Sequence, residues 1–244
     1  MCRNEIKDGA IFVADVHLNN KRDKFYSFLV DIKNKKIKTS QLFLMGDIFD
    51  LLVGGVSYTL KKNKKYIELI NEISKEVEIF YFEGNHDFNL EGIFPKVKVY
   101  DFYKQPQLFF YKNEPIVLLH GDKVTTIDYK IYTSFIRFKP TIFILNILDL
   151  LTRGIISKAI MSFQVKKDLC KKIKNFKNII QKRVKILTKQ KHLIIEGHFH
   201  QGVNFQINGK KYINLDSFAC NKSFFIVQSH QSFKEPFLKK EIYR

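Results

Sequence analysis

A chain of 244 residues that is 45% hydrophobic has the length of one large domain and enough apolar material for a core, which excludes a disordered tail. Its 42 Lys and Arg against 24 Asp and Glu leave a net charge of +18, which favours anionic partners: nucleic acid, an anionic membrane surface or a phosphorylated substrate. Cys2, Cys170 and Cys220 are far apart and lack C-x-x-C spacing, so they suggest neither a disulfide framework nor a cysteine-built zinc site, and a reducing, cytoplasmic compartment is expected.

Residues 9–15 form a short apolar run ending in Asp15, the pattern of a buried strand that delivers a polar side chain at its C-terminal end. Residues 41–47, 78–85 and 115–122 repeat that design. Between them, residues 24–37 and 65–77 carry apolar positions every three or four residues against a lysine-rich face, as amphipathic helices do. Strand and helix in alternation predict an α/β layered fold.

From 129 to about 189 the strand signals vanish, and the spacing predicts helices over 129–138, 140–151, 155–163 and 166–187. This reads as a helical insertion, at about 124–190, in a single domain spanning 1–244. Strand signals return at 192–196, 203–207, 211–215 and 224–227, with Asn208-Gly209 supplying a hairpin turn. The most apolar region, 141–156, is broken by Asn146, Asp149 and Arg153 and falls short of the ~18 residues that span a bilayer, so no transmembrane helix is predicted. The polar residues 1–9 do not make a signal peptide, which argues against export.

Metal-ligand residue types gather at the strand ends: Asp15 and His17, Asp47 and Asp50, Asn85 to Asp87, His120 and Asp122, His198 and His200. Strands of an α/β sheet present their C-terminal ends to one crevice, where residues distant in sequence converge. Alternation along a strand predicts that Asp15 and His17 share a side, as do His198 and His200. Carboxylate, imidazole and amide together suit manganese, iron or zinc better than calcium. Seven candidate ligands, Asp15, His17, Asp47, Asn85, His120, His198 and His200, exceed the needs of one cation and match a two-cation centre for attack on phosphorus. A lone aspartate at a strand end is usually a cap or turn residue, and a lone histidine such as His192 or His230 is usually structural; joint occurrence separates the seven from these.

The ordered series D-x-H, G-D-x-x-D, G-N-H-D, H-G-D and G-H-x-H, from residue 15 to residue 200, resembles the calcineurin-like metallophosphoesterases. The resemblance implies a four-layer metallophosphoesterase β-sandwich flanked by helices, with two divalent metal ions, manganese first and iron or zinc as alternatives. It assigns Asp15, His17, Asp47 and His200 to one metal and Asp47, Asn85, His120 and His198 to the other, with Asp47 as the bridge. It makes His86 the catalytic group facing the phosphate, Asp87 the group orienting its ring, and a metal-activated water the nucleophile.

In length, in the late G-H-x-H and in the helical insertion, the chain is similar to the UDP-2,3-diacylglucosamine pyrophosphohydrolases of lipid A biosynthesis. That similarity implies cleavage of a lipid-linked nucleotide-sugar pyrophosphate to UMP and 2,3-diacylglucosamine 1-phosphate. Asn85, Asp128, Tyr129, Arg153, Ser157 and Lys158 are the candidate substrate contacts. The apolar residues 142–148 suggest a lipid-facing lid, and with the basic charge they suggest peripheral association with the cytoplasmic face of the inner membrane. The alternative is a phosphodiesterase or nuclease of the same superfamily. Against a nucleic-acid partner stands the scatter of basic residues over several helices, with no recognition motif.

Overall fold

The computed structural model describes residues 3–123, 127–187, 192–229 and 237–244. The first half runs β1 (Ile11–Val13), α1 (Lys24–Lys33), β2 (Gln41–Leu44), β3 (Leu52–Val53), α2 (Ser57–Ile73), β4 (Glu78–Phe82), β5 (Asp87–Phe88), β6 (Lys98–Tyr100), β7 (Gln107–Tyr111) and β8 (Glu114–Leu119). Four helices follow: α3 (Ile127–Arg137), α4 (Lys139–Leu151), α5 (Ile155–Val165) and α6 (Phe176–Leu187). The rest is β9 (Leu193–Glu196), β10 (Val203–Ile207), β11 (Lys210–Asn214), α7 (Phe218–Asn221), β12 (Ser223–Val227) and β13 (Leu238–Ile242).

One sheet has the order β13-β12-β1-β2-β4-β6 and the other β10-β11-β9-β8-β7. Strands β1, β2, β4 and β6 are parallel, and the first three are covered on both faces, which is why those three read as apolar runs. The period of two sorts their side chains: Phe12 and Phe43 point inward between the sheets, while Ile11, Val13, Leu42 and Leu44 meet α1 and α2. Between the sheets the rings stack, Phe12 on Phe43 at 4.2 Å and Phe43 on Phe80 at 4.6 Å. On the far side Phe176, Ile180 and Val184 of α6 cover Val117, Leu119 and Ile194. The result is helix, sheet, sheet, helix: the expected four-layer α/β sandwich.

Helices α3 to α6 lie between β8 and β9, where the helical insertion was expected. Ile142 of α4 is buried against Val53, Val56 and Phe88, and Asn146 accepts the Ser57 N–H at 2.8 Å, which docks α4 at the start of α2. The outward faces of α3, α4 and α5 are apolar and open, with Phe143 64% and Leu151 77% exposed. Among the described residues, no helix is long and apolar enough to cross a membrane.

Two expectations are corrected here. The last insertion helix begins at Phe176, not at 166, because local and tertiary hydrogen bonds hold the intervening segment in turns and irregular coil. Asp168 accepts the Cys170 N–H, the Leu169 carbonyl meets the His200 ring at 2.6 Å, and the Gln201 side chain accepts the Ile173 N–H. In that segment Cys170 forms a disulfide with Cys220 of α7, across a sequence separation of 50 residues. Linear spacing gave no sign of the pair, because the fold alone brings the two segments together.

Candidate metal centre

The seven candidate ligands lie just beyond the ends of the strands, not within them. Asp15, His17, Asp47, His198 and His200 all have left-handed backbones, with φ between 46 and 65 in each case. The loops after β1 and β2 run side by side, with the Asp15 N–H on Gly46 O at 3.1 Å and the His17 N–H on Asp47 O at 2.9 Å. Gly46 follows from this crowding: a side chain there would collide with the His120 ring, and its φ is +86. Gly84 is equally constrained, since a Cβ would strike the Asp47 carboxylate.

Six of the seven candidate ligands fall into compact groups. Asp15, His17 and His200 form one; Asp47, His120 and His198 form another; and His17, Asp47 and His86 form a third between them. The pairing expected from strand alternation therefore holds for Asp15 and His17 and fails for His198 and His200, which join different groups. His200 Nε2 is 3.2 Å from Asp15 Oδ1 and 3.4 Å from His17 Nε2. Asp47 Oδ1 accepts the His86 N–H at 2.9 Å, which leaves Oδ2 facing three rings: His120 at 3.5 Å, His17 at 4.0 Å and His86 at 4.0 Å. Asp47 is therefore common to two groups and central to the site.

The orphaned atoms test whether cations fit. His120 Nε2, His198 Nδ1 and Asn85 Oδ1 are buried without a hydrogen-bond partner. Three such atoms beside a buried carboxylate carry a large desolvation cost, which a bound cation removes, and the donor set is the mixed O and N chemistry of transition metals. Burial pushes the Asp47 carboxyl up, yet the His86 and His120 rings outweigh it and hold it well below the usual carboxylate range. Burial, then the neighbouring His120 charge, drives His198 down to about 3, and burial also lowers His17, so both rings are held neutral as ligation requires.

Backbone carbonyls orient the other imidazoles. His120 Nδ1 lies 2.9 Å from Met45 O and His200 Nδ1 2.6 Å from Leu169 O, so in each the Nε2 is turned to the cluster. Asp50 stands behind His17, with Oδ1 3.5 Å from Nδ1, and is itself held by Arg22 at 3.0 Å and Asn19 at 2.5 Å.

The expected role of Asp87 is corrected. It does not orient His86, whose Nδ1 lies 3.0 Å from the Asp50 carbonyl. Asp87 instead accepts the N–H groups of Asp47, Ile48 and Gly84 and the Tyr81 hydroxyl, so it braces the two loops that carry Asp47 and Asn85. An acceptor facing several converging backbone donors is a scaffold, and the D after G-N-H does not distinguish that from a ring partner.

The candidate substrate contacts divide. Ser157 is buried and its hydroxyl is spent on Asp149 at 2.6 Å, so it faces no ligand, contrary to expectation. Lys158 lines an open cleft, Arg153 and Asp128 are exposed, and the Tyr129 side chain lies outside the described residues. Arg137 and Arg22 escaped the sequence reading. Arg137 Nη2 donates to Gly84 O at 2.8 Å, beside Asn85, and Arg22 Nε donates to His17 O at 2.9 Å. Single arginines in a chain with 42 basic residues carry no local signal.

The model of the calcineurin-like phosphoesterase family matches residues 10–202. The chain belongs to that family. It is 27% identical over 213 residues, 83% of both chains, to a protein of Wigglesworthia glossinidia brevipalpis named UDP-2,3-diacylglucosamine hydrolase. One of the same name from Pseudomonas fluorescens (strain Pf0-1) is 29% identical over 62% of each chain. For one from Coxiella burnetii (strain RSA 331) the identity is 27%, and the match spans only 49% of each chain, about half the length of that relative. Among solved structures, the phosphoesterase Yfce from E. coli overlaps 90% of this chain and 88% of its own, at 14% identity and a TM-score of 0.45. The family is one of phosphoesterases, and membership implies divalent metal ions.

Proposed function

We propose that this phosphoesterase hydrolyses the pyrophosphate bond of UDP-2,3-diacylglucosamine, releasing UMP and 2,3-diacylglucosamine 1-phosphate. One observation carries the lipid part of this reading: an open apolar face on α3, α4 and α5, tethered to the metal loop by Arg137 at Gly84. Phe135, Phe138, Phe143, Ile144 and Leu151 lie on it, more apolar surface than an isolated enzyme of small polar phosphoesters needs to expose. The name shared by the relatives agrees with this reading.

Asp15, His17, Asp47 and His200 would hold one cation, and Asp47, Asn85, His120 and His198 the other, with manganese the first choice. Bound there, the cations supply Lewis acidity to the phosphoryl group and activate the attacking water. Burial lowers His120 and His200, but Asp47 and Asp15 outweigh it and raise both; cations would take the place of those protons. His86, with Nδ1 engaged by the Asp50 carbonyl, turns Nε2 toward Asp47 and is the group poised to donate to the phosphate or its leaving oxygen. Asp87 and Asp50 act by holding loops and rings in place.

The whole chain functions as one domain, with the helices over 127–187 as its lid. The apolar lid face and the charge of +18 suit peripheral attachment to an anionic, cytoplasmic membrane surface. The deciding experiment compares UDP-2,3-diacylglucosamine with bis(p-nitrophenyl) phosphate, with manganese and then with chelator. Metal-dependent release of UMP with little generic hydrolysis supports the reading. Generic hydrolysis alone would keep the metal centre and discard the lipid substrate. Failure to sediment with anionic vesicles at low salt would remove the membrane role.

A further inference from the structure

Beside the metal centre, a cleft of about 700 Å³ opens between α2, α5 and the loop after β1. Four lysines line it: Lys21 from the loop, Lys62 and Lys65 from α2, and Lys158 from α5. Lysines on exposed helices normally point into solvent, but these come from three separate elements and meet on one concavity. The carboxylates among the lining residues are Asp23 and Asp50, and Asp50 is already engaged by Arg22. Among the described residues Lys21 and Lys62 have no acidic partner, Lys65 stands 4.8 Å over the Tyr66 ring, and Lys158 stands 5.5 Å over the Tyr58 ring. A concave surface with such an excess of cationic charge selects an anion.

The remaining walls are of another kind. Leu51, Tyr58, Met161 and Val165 form apolar surface on both sides of the cleft, suited to a flat ring, and the volume is that of a small-molecule site. A ligand that joins anionic oxygens to a planar heterocycle satisfies both sets of walls; a bare phosphate or a bare hydrocarbon satisfies one. The lining also reaches the metal centre, which puts the phosphate end of such a ligand there. It contains Asn19 and Asp50, and Asp50 stands 3.5 Å from the His17 ring and offers its carbonyl to His86 at 3.0 Å. The cleft therefore ends one residue short of the candidate ligand His17 and of His86.

We propose that this cleft binds the nucleoside-phosphate half of the substrate, with Lys21, Lys62, Lys65 and Lys158 facing the phosphate oxygens and Tyr58, Met161 and Val165 bracketing the base. This rests on reading the centre as a hydrolase of a nucleotide-sugar pyrophosphate. Lys158, a candidate contact in the sequence, acquires a defined role here, and Lys21, Lys62 and Lys65 join it.

Calorimetric titration of the manganese-loaded full chain with UMP, uridine and inorganic phosphate tests the assignment. The variants are Lys62→Glu/Lys65→Glu, and, as a control of equal charge change, Lys174→Glu/Lys182→Glu in the groove beside His198. The expected result is one UMP site, tighter than for uridine or phosphate, weakened about tenfold or more by the α2 pair and little by the control pair. Equal UMP affinity in the wild type and the α2 variant, equal loss in both variants, or phosphate binding as tightly as UMP would each overturn it. Melting temperature and metal content check that the variants fold. Should the α2 pair fail to fold, Met161→Trp fills the apolar wall without changing charge and must abolish UMP binding. The two proposals fail separately: UMP binding that depends on α2 with no cleavage of UDP-2,3-diacylglucosamine retires the substrate, while cleavage with UMP binding indifferent to the α2 lysines retires the cleft.

Discussion

Glu83 is an ionisable group buried beside the metal loop, and replacing it with glutamine has a calculable consequence. The residue is 2% exposed, and its Oε1 accepts the Leu90 N–H at 2.7 Å. Burial raises its pKa from the ordinary 4.5 to about 7, a shift that the Leu90 and Asn89 N–H groups and the Arg137 charge only partly offset. A folded-state pKa above the unfolded one means the fold prefers the protonated form. That contribution is complete below 4.5 and is lost as pH rises through about 7. At about 1.4 kcal/mol per pH unit, the loss between pH 4 and pH 8 comes to about 3 kcal/mol. Glu83→Gln keeps an acceptor for Leu90 and cannot ionise, so it should be more stable than the wild type by up to about 3 kcal/mol at pH 8 and show no advantage at pH 4. Urea unfolding followed by circular dichroism at pH 4, 6 and 8, with chelator present for both proteins, measures this. Parallel stability curves across that range would refute the reasoning.

Four further outcomes are expected. Asp47→Ala should reduce bound metal from two ions to one or none by mass spectrometry and lower hydrolysis by at least about a hundredfold, because Asp47 belongs to two of the three groups and stands between them. In His86→Ala, kcat should fall about 10²- to 10⁴-fold with metal content unchanged; metal loss instead would make His86 a ligand. Asp50→Asn should weaken metal affinity about tenfold to a hundredfold, read by competition with a chelating dye, since Asp50 backs the His17 ring. Cys170→Ser should lower unfolding stability by about 2 to 4 kcal/mol, as expected for a bridge closing a loop of this length, and a thiol reductant should lower the melting temperature of the wild type alone. Identical melts with and without reductant would mean that the bond does not form in solution.

Much of the site was legible in the linear chain because metal chemistry restricts its residue types. Asp15, His17, Asp47, His120, His198 and His200 are rare together in any other role, and apolar runs preceding most of them marked the strand ends where they gather. Less visible was everything that holds them. Asp87 occupies a place in the pattern that suited a ring partner, and only its contacts with the Asp47, Ile48 and Gly84 N–H groups show it to be a brace. Arg137 reaches Gly84 across 53 residues, and Ser157 faces inward because Asp149 happens to lie opposite it.

What sequence alone determined, then, was the layered α/β class, and it singled out the run of helices between two sheet halves and the ligand-type residues that the fold gathers, since periodicity and residue chemistry are properties of neighbouring residues. The tertiary structure decided how the ligands divide into groups, where the last insertion helix starts, which cysteines pair and which lysines share a cleft. These depend on left-handed turns and on contacts between segments tens of residues apart, whose energies appear only once the chain has closed on itself.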